Sequence, residues 1–370
     1  GQRPFAYTPP TGFVALNAYN LSAPTINNGA SYMATTTYTG TGAVQSINNG
    51  ANTTTNVKFQ PDLVWIKSRS AATNNNLFDS LRTATNYLIS NSTAANATNA
   101  NTLTAFNSTG FALGSDASSI GVNISTNTYV AWQWLAGQGS TSTNTNGSIT
   151  STVSVNPTAG FSVVTYTGTG ANATVGHGLG VAPSMILVKA RNISSVGFVV
   201  GHTSLPWPNG YLQLYSTNAV GSASTVWNTS PTSSVFGVGT DLGTNYSSSA
   251  TYVAYCWSAV AGYSAFGSYT GNGSTDGPFV YLGFRPRYIL WKRTDTTADW
   301  GVIDTSRDPY NTTGYDLTPN AASAEGSGYT VDFLSNGFKI RLTATRINAS
   351  GGTYIYAAFA ENPFKYALAR

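Results

Sequence analysis

Three short, unbroken apolar runs stand out along the chain, each entered through a proline and closed by a lysine. They are Phe59-Gln-Pro61-Asp-Leu-Val-Trp-Ile-Lys67, Val181-Ala-Pro183-Ser-Met-Ile-Leu-Val-Lys189 and Phe284-Arg-Pro286-Arg-Tyr-Ile-Leu-Trp-Lys292. A run this short without polar alternation suits a strand buried on both faces. A proline at its entrance is tolerated because no ladder N–H is needed there. A second type of segment alternates aromatic and small residues: Thr128-Tyr-Val-Ala-Trp-Gln-Trp134, Thr251-Tyr-Val-Ala-Tyr-Cys-Trp257 and Thr353-Tyr-Ile-Tyr-Ala-Ala-Phe359. This pattern predicts a strand packed under a second sheet. Between them lie the Gly-aromatic segments Thr109–Gly114, Val235–Gly239 and Asn336–Leu342, the last with a clear period of two. Clusters of Asn, Ser, Thr and Gly separate the runs as turns. No sustained 3.6-residue period occurs; Leu77–Thr83 is the nearest candidate, for a single helical turn.

The runs belong to a repeat. Tyr38-Thr-Gly-Thr-Gly42 returns as Tyr166-Thr-Gly-Thr-Gly170 and Tyr269-Thr-Gly-Asn-Gly273, and each copy precedes one proline-entered run and one aromatic run. From Pro61 to Thr128, Pro183 to Thr251 and Pro286 to Thr353 the separations are 67, 68 and 67 residues. Chance does not hold register over such distances, so the chain reads as one pattern copied three times. The expected fold is all-β: three tandem β-sandwich, jelly-roll-like units over 38–148, 149–262 and 263–370. They follow an extended N-terminal arm, 1–37, with Pro4, Pro9, Pro10 and Pro24. The polar linker Gly137–Gly147 is expected to be flexible.

Composition narrows the function. Of 370 residues only 8% are charged, against about 25% in an average domain. The 17 Lys and Arg against 13 Asp and Glu give a net charge of +4 without a basic run to follow a phosphate backbone, so no nucleic-acid partner is expected. No apolar run approaches a membrane span, so no membrane insertion is expected. One cysteine, Cys256, rules out an intrachain disulfide and reads as a buried small hydrophobe. One Cys and two His make no zinc constellation, and neither metal nor other cofactor is expected.

Candidate chemistry is sparse. Asp79-Ser-Leu-Arg82 and Asp304-Thr-Ser-Arg307 match each other, with His202 in the corresponding place of the second unit. Asp79 and Asp304 each follow their lysine, Lys67 and Lys292, by 12 residues. The expected role is structural, as Lys–Asp or Asp–Arg ion pairs at a sheet rim, since an acid missing from one unit is not essential in all. The cluster Asp295, Asp299, Asp304 and Asp308 is weighed as a glycosidase pair and set aside, because nothing in the spacing makes it converge. No nucleophile elbow accompanies His177 or His202. Sugar-binding surfaces use exposed aromatic rings, and Trp207, Tyr211, Trp227 and Trp300 lie outside the recurring strands. They are the candidate ligand contacts, with Trp207 foremost: its loss should abolish glycan binding and leave stability nearly intact. Trp65, Trp132, Trp134, Trp257 and Trp291 lie inside the recurring strands and are expected in the core.

The opening Gly1–Phe13, with Ala15-Leu-Asn17 and Leu21, resembles the stretch that ends a SPRY-like (concanavalin-like) domain in bacteriophage virion proteins. The units resemble the β-rich repeats that follow it in tail-fibre-like proteins. No complete SPRY-like domain precedes the motif: either it was removed by processing or truncation, or the protein uses only the tail of that architecture, and the opening at Gly1 leads us to expect a processed product or a fragment. The resemblance implies a non-enzymatic virion protein, a tail fibre or tail appendage at the particle surface. It implies other virion proteins as partners, a homo-oligomer by analogy with trimeric fibres, and a host-surface glycan as a further ligand. The alternatives are a capsid decoration or head-fibre protein, and a carbohydrate-binding module of a polysaccharide-degrading spike or a non-viral adhesin.

Overall fold

The computed structural model describes residues 10–11, 24–50, 57–116 and 120–360. It is an all-β molecule of sandwiches, and among the described residues Thr345–Asn348 is the one α-helical turn. Leu77–Thr83 is not helical: Asn76–Asp79 is a strand followed by a turn. Most of the expected arm, 1–9 and 12–23, lies outside the described residues. Its last part is not an arm, because Met33–Thr39 is a strand of the first sheet.

One strand order occurs in three sheets. In the first, Met33–Thr39 pairs with Thr128–Trp134, which pairs with Leu63–Ser68, which pairs with Asn76–Asp79, all antiparallel. In the second the order is Phe161–Thr167, Thr251–Trp257, Met185–Ala190 and Val199–His202. In the third it is Ser264–Thr270, Thr353–Ala360, Pro286–Arg293 and Gly301–Asp304. The Gly-aromatic segments form the facing sheets. Gly110–Leu113 pairs with Gln45–Asn48, Val235–Val238 with Ala173–Gly176, and Gly337–Ile340 with Phe279–Tyr281.

The recurring Tyr-Thr-Gly pattern has a local cause. Tyr38, Tyr166 and Tyr269 stack on Tyr129, Tyr252 and Tyr354, with ring centroids 5.0, 5.0 and 4.8 Å apart. Each first hydroxyl donates to a backbone carbonyl, of Val122, Thr244 and Ile347. At Gly40, Gly168 and Gly271 a Cβ would run into a carbonyl oxygen, so only glycine fits. Gly42, Gly170 and Gly273 turn the chain at φ +68°, +74° and +67°, where glycine carries no steric penalty.

The unbroken apolar runs are explained by what lies on each side. Val64 and Ile66 face Ile47, Phe111 and Leu113 inside the first sandwich. Ile186 and Val188 face Val175, Phe236 and Val238 inside the second. The alternate residues face away from their own sandwich. Trp65, Met185, Leu187, Tyr288 and Leu290 meet in one central core with Trp134, Trp257 and Phe359. Trp134 of the first unit contacts Trp257 of the second at 5.7 Å and Tyr288 and Phe359 of the third at 5.7 and 5.8 Å. The centre leaves an internal space of only about 10 Å³. The five strand tryptophans expected in the core are all buried, four of them toward this centre and Trp291 against Tyr329 inside the third sandwich.

The linker after the first sheet is held rather than loose. Asp62 accepts from the backbone N–H groups of Ala136, Gln138 and Gly139 at 2.7, 2.8 and 2.8 Å, and Ser142–Asn144 is a strand at the edge of the second sheet. Three short donors on a carboxylate with no exposure tie down the start of the linker, which was expected to be flexible.

Candidate functional site

The strand that follows each lysine places one ionisable side chain at the boundary with the next unit. In the first, Asp79 accepts from Arg82 Nε at 2.5 Å and from the Arg82 backbone N–H at 2.8 Å. It also accepts from the Tyr255 hydroxyl of the second unit at 2.7 Å. In the third, Asp304 accepts from Arg307 Nε at 2.6 Å and from Trp132 Nε1 of the first unit at 3.0 Å. In the second, His202 Nδ1 accepts from the Ser204 N–H, which leaves Nε2 to donate to the Tyr356 carbonyl of the third unit, at 3.1 Å each. The contacts therefore run first to second, second to third and third to first, a closed ring.

The missing acid of the second unit now has a reason. The aromatic donor that Asp79 and Asp304 meet is Tyr255 or Trp132, the fifth residue of its strand; in Thr353–Ala360 that place holds Ala357. With no donor opposite, a buried carboxylate would be short of partners, and a neutral histidine donating to a carbonyl is satisfied. Burial pushes His202 down to about 4, which keeps it neutral.

The Asp–Arg pairs were expected at a rim, and both are fully buried instead. The expected Lys–Asp pairs do not form. Lys67 donates to the carbonyls of Thr73 and Ala322, and Lys292 to those of Thr217 and Arg293. Lys189 does the same with Thr93, Ala190 and Ile193. Each lysine thus reaches one carbonyl in the unit behind it in the ring. Burial lowers all three to about 8.

Of the candidate ligand contacts, Trp227 and Trp300 are 0% and 1% exposed, so neither is a platform for a ring. Trp300 Nε1 donates to the Gln213 carbonyl at 3.0 Å and joins the third unit to the second. Trp207 and Tyr211 are half-buried against the second sandwich. Trp207 lies 5.5 Å from Trp227 and covers Gly201, where a Cβ would strike its indole. It packs on its own sandwich while part of its ring stays accessible, so its loss is expected to cost stability as well.

Other residues were not singled out by the sequence. Buried Asn123, Asn245 and Asn348 each accept from the backbone N–H of Thr41, Thr169 and Asn272 and donate back across the same turn. Asparagines inside turn clusters read as ordinary turn residues; their signal was recurrence a few residues before each aromatic strand. Phe279 and Tyr281 are exposed on the facing sheet of the third unit. The framework does not require rings there: Ile47 and Val175 match Val280 in pairing opposite Phe111, Phe236 and Phe338, and their flanking residues are Ser46, Asn48, Thr174 and Gly176.

Among the described residues no three His, Cys, Asp or Glu side chains cluster as a metal site, and no helix is long and apolar enough to cross a membrane. Burial pushes the Cys256 thiol up, which makes it inert. No curated protein matches the chain. A family model spanning residues 28–363 does match, across all three sandwiches, and the chain therefore belongs to the family described as a domain of unknown function, DUF7483.

Proposed function

We propose that the protein is a non-enzymatic structural component of a bacteriophage particle, a tail fibre or tail appendage displayed at the particle surface. The observation that carries this reading is the use made of the recurring ionisable groups. Asp79, His202 and Asp304, with the three lysines, are spent on joining sandwiches into a ring. Function is left to the outward faces, as in a scaffold that presents a surface. Low charge and neutral polar residues outside, with aromatic packing inside, suit a durable extracellular part. Immunogold labelling of intact particles tests it. Label along the tail is the expected result, and absence of the protein from purified particles overturns the reading.

One observation favours a capsid decoration or head-fibre protein. A ring of three sandwiches within one chain matches a threefold position on a symmetric shell without needing three copies. Label over the head would select this second reading. The trimer implied by the fibre resemblance would have to form through the outer surfaces, because the ring contacts are already closed within one chain.

A further inference from the structure

The contacts of the ring are built on one plan, and among the described residues one arginine in it lacks the carboxylate clamp that its counterpart has. Between the third and first units, Glu325 holds two arginines. It accepts from Arg307 Nη1 at 2.9 Å, and it clamps Arg69 with Nε–Oε1 at 3.0 Å and Nη2–Oε2 at 2.8 Å. Its backbone N–H donates to the Arg69 carbonyl at 2.8 Å. Between the first and second units, the Asn96 N–H donates to the Arg191 carbonyl at 2.6 Å, and Asn96 Oδ1 accepts from Arg82 Nη1 at 2.6 Å. Arg191 thus occupies the place of Arg69, and Asn96 that of Glu325. An amide has one acceptor oxygen and no charge, so it serves Arg82 and leaves the second guanidinium over. Between the second and third units the corresponding residue is Thr294, and no such cation arises.

Among the described residues Arg191 has no carboxylate partner, and its buried Nε has no acceptor. Burial and the nearby positive charge of Arg82 disfavour its charged form, and Asp79 and Tyr255 offset this only in part. With Nε buried, the two Nη groups are the donors left for an oxyanion.

Arg191 borders a groove of about 270 Å³ in the second unit whose walls carry hydroxyls: Thr143, Thr152, Thr165, Thr167 and Thr251. Strand pairing sets them in rows, with Thr143 opposite Thr152, Thr152 opposite Thr165, and Thr167 opposite Thr251. Threonine hydroxyls donate and accept, as sugar hydroxyls do. We propose that this groove binds an acidic saccharide, its carboxylate on Arg191 and its ring hydroxyls on the threonine wall. The saccharide half of the proposal rests on the reading of the protein as a host-facing surface; the oxyanion half rests on the Arg191 geometry.

Calorimetric titration of the full chain with glucuronate tests it, with glucose and inorganic sulfate as comparisons. Saturable glucuronate binding is expected, with none for glucose. Arg191→Gln should weaken it at least tenfold. Asn96→Glu should do the same by restoring the carboxylate clamp that Glu325 provides elsewhere. It should also keep or raise the melting temperature, so loss of binding there is not loss of fold. Three results overturn the proposal: no saturation with the unaltered chain, binding that survives either substitution, or sulfate binding as tight as glucuronate. None of them bears on whether the protein sits in a particle, and absence from particles would leave the binding result standing.

Discussion

At the scale of single residues, the buried ion pairs carry the sharpest expectations. Asp79 and Arg82 both have fully buried side chains. Asp79→Asn leaves the guanidinium without its counter-charge, and the loss in stability should be about 3–5 kcal/mol by denaturant unfolding. Tyr255→Phe removes one neutral donor from the same carboxylate and should cost about 1–2 kcal/mol. Equal losses would mean that the hydroxyl, not the charge, holds this boundary. Trp207→Ala should lower the melting temperature clearly, because Trp207 covers Gly201 and packs on Trp227. Protonation gives two windows. An unfolded histidine takes a proton near pH 6.5, whereas His202 resists until about 4. The unfolded chain therefore binds more protons between these values, and stability should fall as pH drops from 6.5 to 4. His202→Gln, which can still donate to the Tyr356 carbonyl, should flatten that slope. For the lysines, unfolded near 10.5 and about 8 in the fold, the same linkage makes stability rise from pH 8 towards 10.5. Urea midpoints across pH measure both.

At the scale of the element, the glycine turns and the twice-buried strands decide the fold. Gly40→Ala should be strongly destabilising, because its Cβ would meet the backbone carbonyl of Ile124, which cannot swing aside as a side chain can. Gly42→Ala should cost about 1–2 kcal/mol, since it places a side chain at φ +68° in more open space. Circular dichroism melts of the two variants should rank them in that order. These turns were legible in the sequence because glycine spacing is a direct record of backbone need. The twice-buried strands were legible as strands too: Leu63–Ser68 shows no polar alternation because neither face meets water. What covers the second face was not legible, since an apolar residue records burial and not the partner. The same limit explains the misplaced aromatics. Trp227 and Trp300 lie outside the recurring strands, yet position in a connection says nothing about exposure, and both are buried. Phe279 and Tyr281 flank a core valine in an all-apolar triplet, so no polar neighbour marks which way they point. The lysines looked like acid partners because charge suggests charge, whereas backbone carbonyls leave no trace in a sequence.

At the scale of the whole molecule, the sandwiches are parts of one body. Separating the second unit from the other two would bare its Met185, Leu187, Val253, Tyr255 and Trp257, which face the common core. Residues 149–262 produced alone should therefore be insoluble or lack a cooperative melt. A patch of large apolar side chains that size is far beyond what isolated domains tolerate. The central claim is that the three sandwiches share one core and unfold together. Scanning calorimetry of the full chain beside Trp134→Ala tests it most directly, because Trp134 belongs to the first unit and touches both others. One transition is expected for the full chain and a single, lower one for the variant. Two or three separate transitions, with the substitution shifting only one of them, would contradict it.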